Sequence, residues 1–465
     1  MPLRDYQLDA TARVRQAMVS LHAAGRPMRV CLVVPTGGGK TVMGADIARR
    51  TVERGRKVLW GVHRSELVDQ AYDALVAQGL RCGVICAGSE RPVQPYAPVQ
   101  VATFQTLGAR GVRPDADLVV FDEAHHAAAK TFAGIIKHYE GVPVLGLTAT
   151  PERGDGKPLG DMFEEIVTGA TVKQLVAAGH LVPADIIRPK RKLRSGEIAQ
   201  RPVDAWMQNA MGLRTIVFSP SVALAQQHAD EFARLGYASA MVEGETDRGE
   251  RREIWRGFRS GVIQVVTNVY VATEGFDLPA IEVVILARGC GHAGTYLQMV
   301  GRALRPSPGK SRAMIIDLQG ISHDHGHPED ERIYSLVGAR GISEAAAAEP
   351  RVVQAYCKVC SEPLDADDSV CPVCGTERAA QWKITGEALI PYAAKRREGV
   401  DQRVATLARW IKDGRSKGFK PGWARAKFRA VYGEPTGAYE AAAHALLRGE
   451  EQPQPAAEPE HGGWV

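Results

Sequence analysis

The chain has 465 residues, of which 45% are hydrophobic and 24% charged, a composition typical of folded proteins with two to four domains. It contains no run of about 18 apolar residues, which excludes a transmembrane helix, and residues 1–5 do not resemble a signal peptide, so we expect a cytoplasmic protein. The net charge of +5 is uneven, because residues 395–432 carry twelve Lys or Arg against three Asp or Glu.

A helix is predicted near the start of the chain, over about residues 3–25, and it contains Gln7. A glutamine placed ahead of a phosphate-binding loop can recognise the edge of an adenine through its amide. A surface residue without a ligand is the alternative interpretation of Gln7.

A phosphate-binding loop is predicted at residues 34–41, Val-Pro-Thr-Gly-Gly-Gly-Lys-Thr. An apolar strand precedes it and a helix follows, so backbone N–H groups and the positive end of the helix dipole would face a polyanion. Lys40 would reach the β- and γ-phosphates, and the Thr41 hydroxyl would ligate Mg²⁺. Val34 departs from the strict pattern, which has Gly there, and a turn without a ligand is the alternative. The predicted nucleotide contacts of the loop are Thr36, Gly37, Gly38, Gly39, Lys40 and Thr41.

Strands and helices alternate after the loop, which predicts a mostly parallel sheet with helices on both faces. One apolar strand ends in Asp122-Glu-Ala-His125 and another in Thr148-Ala-Thr150. Ligands bind at the carboxyl ends of the strands in such sheets. Asp122 would hold Mg²⁺, and Glu123 would orient and deprotonate the water that attacks the γ-phosphate. A solvated turn with two adjacent acids is the alternative.

These motifs, in this order, resemble those of superfamily 2 helicases of the DEAD/DEAH type. The resemblance covers roughly residues 1–320 and implies that Gln7 recognises adenine and that His125 communicates between two lobes. It also implies coupling of hydrolysis to strand movement by Thr148 and Thr150. The residues that it implies for contacts with the nucleic-acid backbone are Arg64, Thr103, Gln105 and Thr267. Within the superfamily, the motifs are most similar to those of the RadD family of bacterial DNA-repair helicases or of a phage relative.

A second α/β lobe, without a phosphate loop of its own, is predicted to follow and to close over the first. Arg302 and Arg305 are three residues apart, so on a helix they would share one face and reach a γ-phosphate across a cleft. A solvated helix face is the alternative for such a pair. The resemblance assigns both arginines to the nucleotide, Asp277 to the ribose or an inter-lobe contact, Gly275 to a backbone turn, and Gln298 to coupling.

Four cysteines, Cys357, Cys360, Cys371 and Cys374, follow the second lobe with the spacing Cys-x₂-Cys-x₁₀-Cys-x₂-Cys. Two Cys-x-x-Cys turns supply the four thiolates that tetrahedral Zn²⁺ prefers, so the spacing predicts a structural zinc ribbon. A redox dithiol is the alternative. The module is too short for a core of its own, and metal binding would supply about 10 kcal/mol of folding free energy.

The basic region near the C-terminus interleaves aromatic residues, among them Trp423, with Lys and Arg. Bases can stack on aromatic rings while basic groups meet phosphates, so this module is predicted to contact nucleic acid. A small helical bundle with an aromatic core is the alternative. The residues after Gly449 are rich in Pro, Glu and Gln and are predicted to be disordered.

The predicted fold is α/β, with two tandem RecA-like parallel-sheet lobes, a small zinc ribbon and a small helical C-terminal module. The predicted function is an ATP-dependent helicase or translocase that acts on single-stranded, forked or duplex DNA in repair, recombination or replication. An RNA helicase is an alternative, as is a nucleic-acid-stimulated ATPase that remodels complexes without unwinding. The predicted cofactors are ATP, Mg²⁺ and structural Zn²⁺, and a repair or replication protein is a possible partner. The predicted domains are residues 1–185, 190–335, 351–380, 395–449 and 450–465.

Overall fold

A computed structural model describes residues 3–126, 129–151, 159–269, 281–332, 334–336, 355–356, 363–364, 383–392, 407–412 and 424. Several predicted functional residues lie outside these ranges, namely Gly275, Asp277, Trp423, Cys357, Cys360, Cys371 and Cys374. None of the described helices combines the length and the apolar run that crossing a lipid bilayer requires.

The first lobe alternates strands with helices along the chain. Its strands are β1 Arg29–Val33, β2 Val58–Val62, β3 Cys82–Ile85, β4 Val99–Thr103, β5 Leu118–Asp122, β6 Val144–Thr148 and β7 Glu165–Thr168. Its helices are α1 Asp5–Ala23, α2 Lys40–Val52, α3 Ser65–Ala77, α4 Phe104–Arg110, α5 Ala129–His138 and α6 Val172–Ala177.

These strands form one parallel sheet in the order β3-β4-β2-β5-β6-β1-β7. Alternate side chains of each strand point to opposite faces, so the sheet needs two apolar cores. Val30 and Leu32 of β1 belong to the core under α1, α2 and α3, whereas Cys31 and Val33 belong to the core under α4 and α5. The parallel sheet with helices on both faces is thereby confirmed for this lobe.

The second lobe repeats the architecture. Its strands are β8 Ala184–Arg188, β9 Glu197–Ile198, β10 Thr215–Phe218, β11 Ser239–Val242, β12 Val265–Asn268, β13 Val283–Leu286 and β14 Ala313–Asp317. Its helices are α7 Pro202–Asn209, α8 Val222–Arg234, α9 Arg248–Ser260, α10 Ala293–Gly301 and α11 Ser322–His325. Four further two-residue strands follow: β15 Ala355–Tyr356, β16 Pro363–Leu364, β17 Lys383–Ile384 and β18 Ile390–Pro391.

The second sheet has the order β11-β12-β10-β13-β14-β8-β18, and β18 is its one described antiparallel member. The division between the two sheets falls between β7 and β8, so β8 opens the second lobe. Two parallel α/β lobes in tandem, as predicted, are therefore present. The described residues do not show the zinc ribbon or the helical C-terminal module. Within the range predicted for that module, the structure describes residues 407–412, which are helical, and residue 424.

The chain crosses between the lobes a second time after β14. His327 hydrogen-bonds the carbonyl of Ala184 in the second lobe with Nε2, at 3.1 Å. A few residues later, Tyr334 and Leu336 pack against the core of the first lobe, and the Leu336 carbonyl accepts a hydrogen bond from the Gly160 N–H at 2.8 Å. Strand β18 then returns to the second lobe. In the sequence, the four cysteines therefore lie between a segment anchored on the first lobe and a segment anchored on the second.

Candidate nucleotide site between the lobes

The order of the first sheet brings the predicted motifs together. Strands β5, β6 and β1 are neighbours, and all three run in the same direction. Their carboxyl ends therefore lie side by side, with Asp122 at the end of β5, Thr148 at the end of β6 and the glycine-rich loop after β1. This is the edge at which open α/β sheets bind ligands.

The glycine-rich loop has the backbone shape that a phosphate cradle requires. Gly37 and Gly39 adopt φ angles of +85° and +81°, which favour glycine because a side chain there is strained. Helix α2 begins directly after Gly39, so its first N–H groups open toward the loop. Val34, where the strict pattern has glycine, is fully buried, and the loop folds over its side chain at Gly38. The departure from the pattern therefore leaves the cradle intact.

Three charged groups meet beneath the loop. The Lys40 ammonium pairs with the Glu123 carboxylate through Nζ and Oε1. Asp122 is buried beside them, and desolvation of its carboxylate raises its pKa to about 6, with Lys40 opposing the shift and Glu123 adding to it. Glu123 has a φ angle of +52°, the one positive φ among the described residues other than glycine. A bulky residue in this conformation carries backbone strain, which often accompanies a functional role.

A chain of hydrogen bonds joins the ends of β5 and β6 to the second lobe. The Gln298 amide donates from Nε2 to Nε2 of His125, at 3.0 Å. The proton of the imidazole is then on Nδ1, which lies 2.9 Å from the Thr148 hydroxyl, and that hydroxyl donates to the Thr150 carbonyl at 2.7 Å. All four residues are buried. The structure therefore brings the four predicted coupling residues into one network that joins α10 to the ends of β5 and β6.

The lobes touch closely where α10 meets the first lobe. A methyl group added at Gly294 would lie 2.8 Å from the Thr150 hydroxyl, and one added at Gly301 would lie 2.8 Å from the Thr36 Cβ. A side chain at either position would force the contacting threonine or one of the lobes to move. Sequence patterns give no sign of this approach, because the two surfaces come from distant parts of the chain.

The two predicted arginine fingers lie at the carboxyl end of α10. Arg302 caps the helix and is 6% exposed, and the Arg305 stem lies over the phosphate loop, with Cγ 3.3 Å from the position that a Cβ of Gly37 would take. The two arginines do not share a helix face as expected, because α10 ends at Gly301 and Arg305 lies in the turn that follows. Pro306 disfavours helical geometry at Arg305, so the helix does not extend through this arginine.

Gln7 lies at the rim of the phosphate loop. It is buried, its Oε1 accepts from the Arg4 N–H at 3.0 Å, and its amide nitrogen lies against Gly39. The adjacent Tyr6, which the sequence did not single out, donates from its hydroxyl to the Gly38 carbonyl at 3.0 Å. The start of α1 is thereby fixed to the loop.

The residues predicted to touch nucleic acid differ in exposure. Arg64 and Gln105 are exposed, and the Gln105 amide donates to the His63 carbonyl at 2.8 Å. Thr103 is buried and caps α4 by accepting from the Thr106 N–H. Thr267 is fully buried, and its hydroxyl donates to the Ala225 carbonyl at 2.7 Å, so the structure places this side chain inside the second lobe rather than on its surface.

The described part of the chain contains no group of three or more His, Cys, Asp or Glu side chains placed to hold a metal ion. The four cysteines of the predicted zinc ribbon lie outside it. The donors that fit Mg²⁺ are the Asp122 carboxylate and the Thr41 hydroxyl, since hard cations prefer oxygen ligands.

Both lobes match known protein families. Residues 1–153 match the family model described as type III restriction enzyme, res subunit, and residues 199–307 match the helicase conserved C-terminal domain. Together the two ranges cover more than half of the chain.

Three relatives illustrate the similarity. A 51.5 kDa protein of Lactococcus phage (isolate 7-9) is 29% identical, over 75% of this chain and 78% of its own length. The putative ATP-dependent helicase IRC3 of Saccharomyces cerevisiae is 28% identical over 69% of this chain and 52% of its own. The DNA 3'-5' helicase XPB of Kineococcus radiotolerans is 28% identical over 59% of this chain and 54% of its own. This chain therefore spans about half the length of the latter two.

The fold is also found in solved structures. A fragment of a putative HsdR subunit of a type I restriction enzyme from Vibrio vulnificus aligns with 70% of this chain and 69% of its own, with a TM-score of 0.55 and 19% identity.

Proposed function

Because this chain belongs to superfamily 2 of the helicases, we propose that it is an ATP-dependent DNA helicase or translocase. The observation that carries the proposal is the arrangement between the lobes: a glycine-rich loop and two buried acids on one lobe, with the Arg305 stem of the other lobe lying over that loop and the buried Arg302 in the same turn. DNA is favoured over RNA because the XPB relative is named a DNA helicase. A role in repair, recombination or replication, and a likeness to the RadD family, stay predictions.

The roles of the first-lobe residues follow from their positions. The loop glycines and Lys40 would bind the phosphates, Asp122 and Thr41 would hold Mg²⁺, and Glu123 would take a proton from the attacking water. In the described arrangement Lys40 pairs with Glu123. A γ-phosphate would compete for the Lys40 ammonium, and Glu123 would then be released to act as a base. The pairing thus supports a site in which the base becomes available only when nucleotide is bound.

The second lobe would complete the site. Arg302 and Arg305 would contact the γ-phosphate and so hold the lobes together, and hydrolysis would weaken that contact. A strand lying across both lobes would move with each cycle. Gly275 and Asp277, which lie outside the described residues, are proposed as further contacts on family resemblance alone.

Nucleotide hydrolysis and strand separation test the proposal together. ATP hydrolysis would be measured for the protein alone and with single-stranded DNA, forked DNA or single-stranded RNA, beside ATP-dependent displacement of a labelled strand. Stimulation and displacement with DNA support the proposal. Stimulation by RNA alone would indicate an RNA helicase. Stimulation by DNA without displacement would exclude unwinding and leave the translocase of the proposal or a remodelling ATPase.

The His125–Gln298 bond is proposed to couple nucleotide hydrolysis to nucleic acid. Gln298→Ala removes the donor across the lobe boundary and leaves the phosphate loop untouched. We expect basal ATP turnover to change little, while DNA stimulation falls roughly tenfold, as loss of about 1–2 kcal/mol would produce. Gln226→Ala, an exposed glutamine of α8, is the matched control. If DNA stimulates ATP turnover of Gln298→Ala as strongly as that of the wild type, Gln298 does not have the proposed coupling role.

The zinc ribbon is proposed on cysteine spacing alone, and its metal content is directly measurable. The purified protein is expected to contain one zinc ion per chain, and serine at all four of Cys357, Cys360, Cys371 and Cys374 is expected to abolish it. The number of zinc ions per chain, measured by atomic spectroscopy, tests the predicted ribbon. Protein purified under reducing conditions without bound metal would contradict the ribbon and favour the redox dithiol.

The basic C-terminal module is proposed to bind nucleic acid through its Lys and Arg residues, with Trp423 as a stacking residue. Leu407 and Trp410 are buried, which favours a core role for Trp410 rather than stacking.

A further inference from the structure

Lys310 is a half-buried lysine whose ammonium is surrounded by main-chain carbonyls. Its Nζ donates to the carbonyls of Ile281 at 2.5 Å and Arg305 at 2.8 Å, and to the carbonyl of Ala303. An ammonium has three N–H donors, and all three are used here. No motif of the sequence analysis includes this residue.

Two of the three carbonyls that Lys310 binds, those of Ala303 and Arg305, belong to the turn that carries the two arginines. Residues 302–305 follow α10 directly, and the Leu304 carbonyl, which lies in sequence between the two that Lys310 binds, accepts from the Val182 N–H at 2.8 Å. The carboxyl end of a helix presents unpaired carbonyls, and a cation there satisfies them and complements the helix dipole.

The same turn is fitted closely to the phosphate loop. Gly301 packs on Thr36, and the Arg305 stem lies over Gly37. Because the contacts are this close, a shift of the turn by a fraction of an ångström would displace both guanidinium groups from a bound phosphate. Misplacement on this scale is costly in catalysis.

We propose that Lys310 is a positioning residue for Arg302 and Arg305, whose ammonium fixes the turn that aims them at the nucleotide. The inference rests on the proposed function, since it gives the arginines a role in ATP hydrolysis. ATP turnover should therefore depend on Lys310, although this residue does not touch the nucleotide.

The surroundings of Lys310 make this role sensitive to pH. Burial lowers the pKa of Lys310 to about 8; Glu282 opposes the shift, and Arg214 and Arg305 add to it. Below pH 8 the ammonium is charged and donates three hydrogen bonds. Above pH 8 the neutral amine has two N–H groups and cannot donate to all three carbonyls. The hydrogen bonds that fix the turn therefore weaken as pH rises.

The test is DNA-stimulated ATP turnover at saturating ATP between pH 6.5 and 9.5, for the wild type, Lys310→Met and Lys310→Arg. Loss of a charge-assisted hydrogen bond predicts a roughly tenfold or greater fall in kcat for Lys310→Met at pH 7.5, with nucleotide affinity retained. The wild type should lose turnover above pH 8, whereas Lys310→Arg, which stays charged, should keep it. Lys57→Met, an exposed lysine of the first lobe, supplies the reference pH profile.

Two results would overturn the inference: wild-type kcat in Lys310→Met, or the same alkaline fall in Lys310→Arg as in the wild type. If Lys310→Met does not fold, as judged by thermal unfolding, the pH dependence of kcat in the wild type and in Lys310→Arg still tests the inference. Lys40→Ala separates this inference from the proposed function. If Lys40→Ala abolishes turnover while the Lys310 variants behave as wild type, only the positioning role fails; if Lys40→Ala has no effect, the proposed nucleotide site fails as well.

Discussion

Glu123→Gln is expected to lower ATP turnover by about 10²–10⁴-fold, the contribution of a positioned general base. Glutamine keeps the shape of the side chain but cannot accept the proton of the attacking water. The ion pair with Lys40 is also lost, so Lys40 is free to meet phosphate and ATP should bind at least as tightly as to the wild type. Turnover is measured at saturating ATP and DNA, and affinity with a fluorescent nucleotide analogue.

Glu140→Gln is the matched control, because Glu140 is exposed and precedes the amino end of β6, whereas the phosphate loop lies at the carboxyl ends of the strands. Its turnover should equal that of the wild type. A Glu123→Gln protein that hydrolyses ATP at the wild-type rate would show that another group is the base.

Arg302→Ala should lower turnover by about 10³–10⁵-fold, the range known for arginine fingers, while nucleotide binding is largely retained. The phosphate loop proposed to bind the nucleotide belongs to the first lobe, whereas Arg302 comes from the second and is proposed to stabilise charge that develops during hydrolysis. Single-turnover hydrolysis separates the loss of this step from the loss of binding.

The control for this variant is Arg312→Ala, because Arg312 is an exposed arginine of the same lobe, paired with Asp185 on the surface. It is expected to hydrolyse ATP normally. Unchanged turnover in Arg302→Ala would contradict the inter-lobe site, and a parallel loss of nucleotide affinity would indicate that Arg302 supports binding instead.

The parts of the site that the sequence predicted are those set by local chemistry. The glycines and Lys40 of the phosphate loop form a short motif with a fixed strand and helix on either side. Asp122 and Thr148 follow apolar strands, and parallel strands bring such ends to one edge. The two α/β lobes followed from the alternation of elements in the same way.

The parts that could not be predicted depend on contacts between distant segments. The Tyr6 hydroxyl reaches the Gly38 carbonyl, and Lys310 binds the carbonyl of Ile281 on another element. Strand β18 joins the second sheet from far along the chain. Such contacts are fixed by tertiary packing, which no short motif or periodicity encodes.

Thr267 shows that a role assigned from family resemblance can fall on a side chain that is buried. Family resemblance assigns it to the nucleic-acid backbone, yet its hydroxyl donates to Ala225 inside the lobe. Burial, which the sequence pattern does not show, decides which side chains are available to a ligand.

The central claim is that the nucleotide bound at the inter-lobe site changes the affinity of the protein for DNA. The most direct measurement is the affinity of the Glu123→Gln protein for single-stranded DNA with ATP and with ADP, at one fixed salt concentration. Reciprocal coupling between the two ligands predicts affinities that differ by about 5–150-fold. Equal affinities with ATP and ADP would contradict the account, because a nucleotide that does not alter DNA binding cannot drive movement along it.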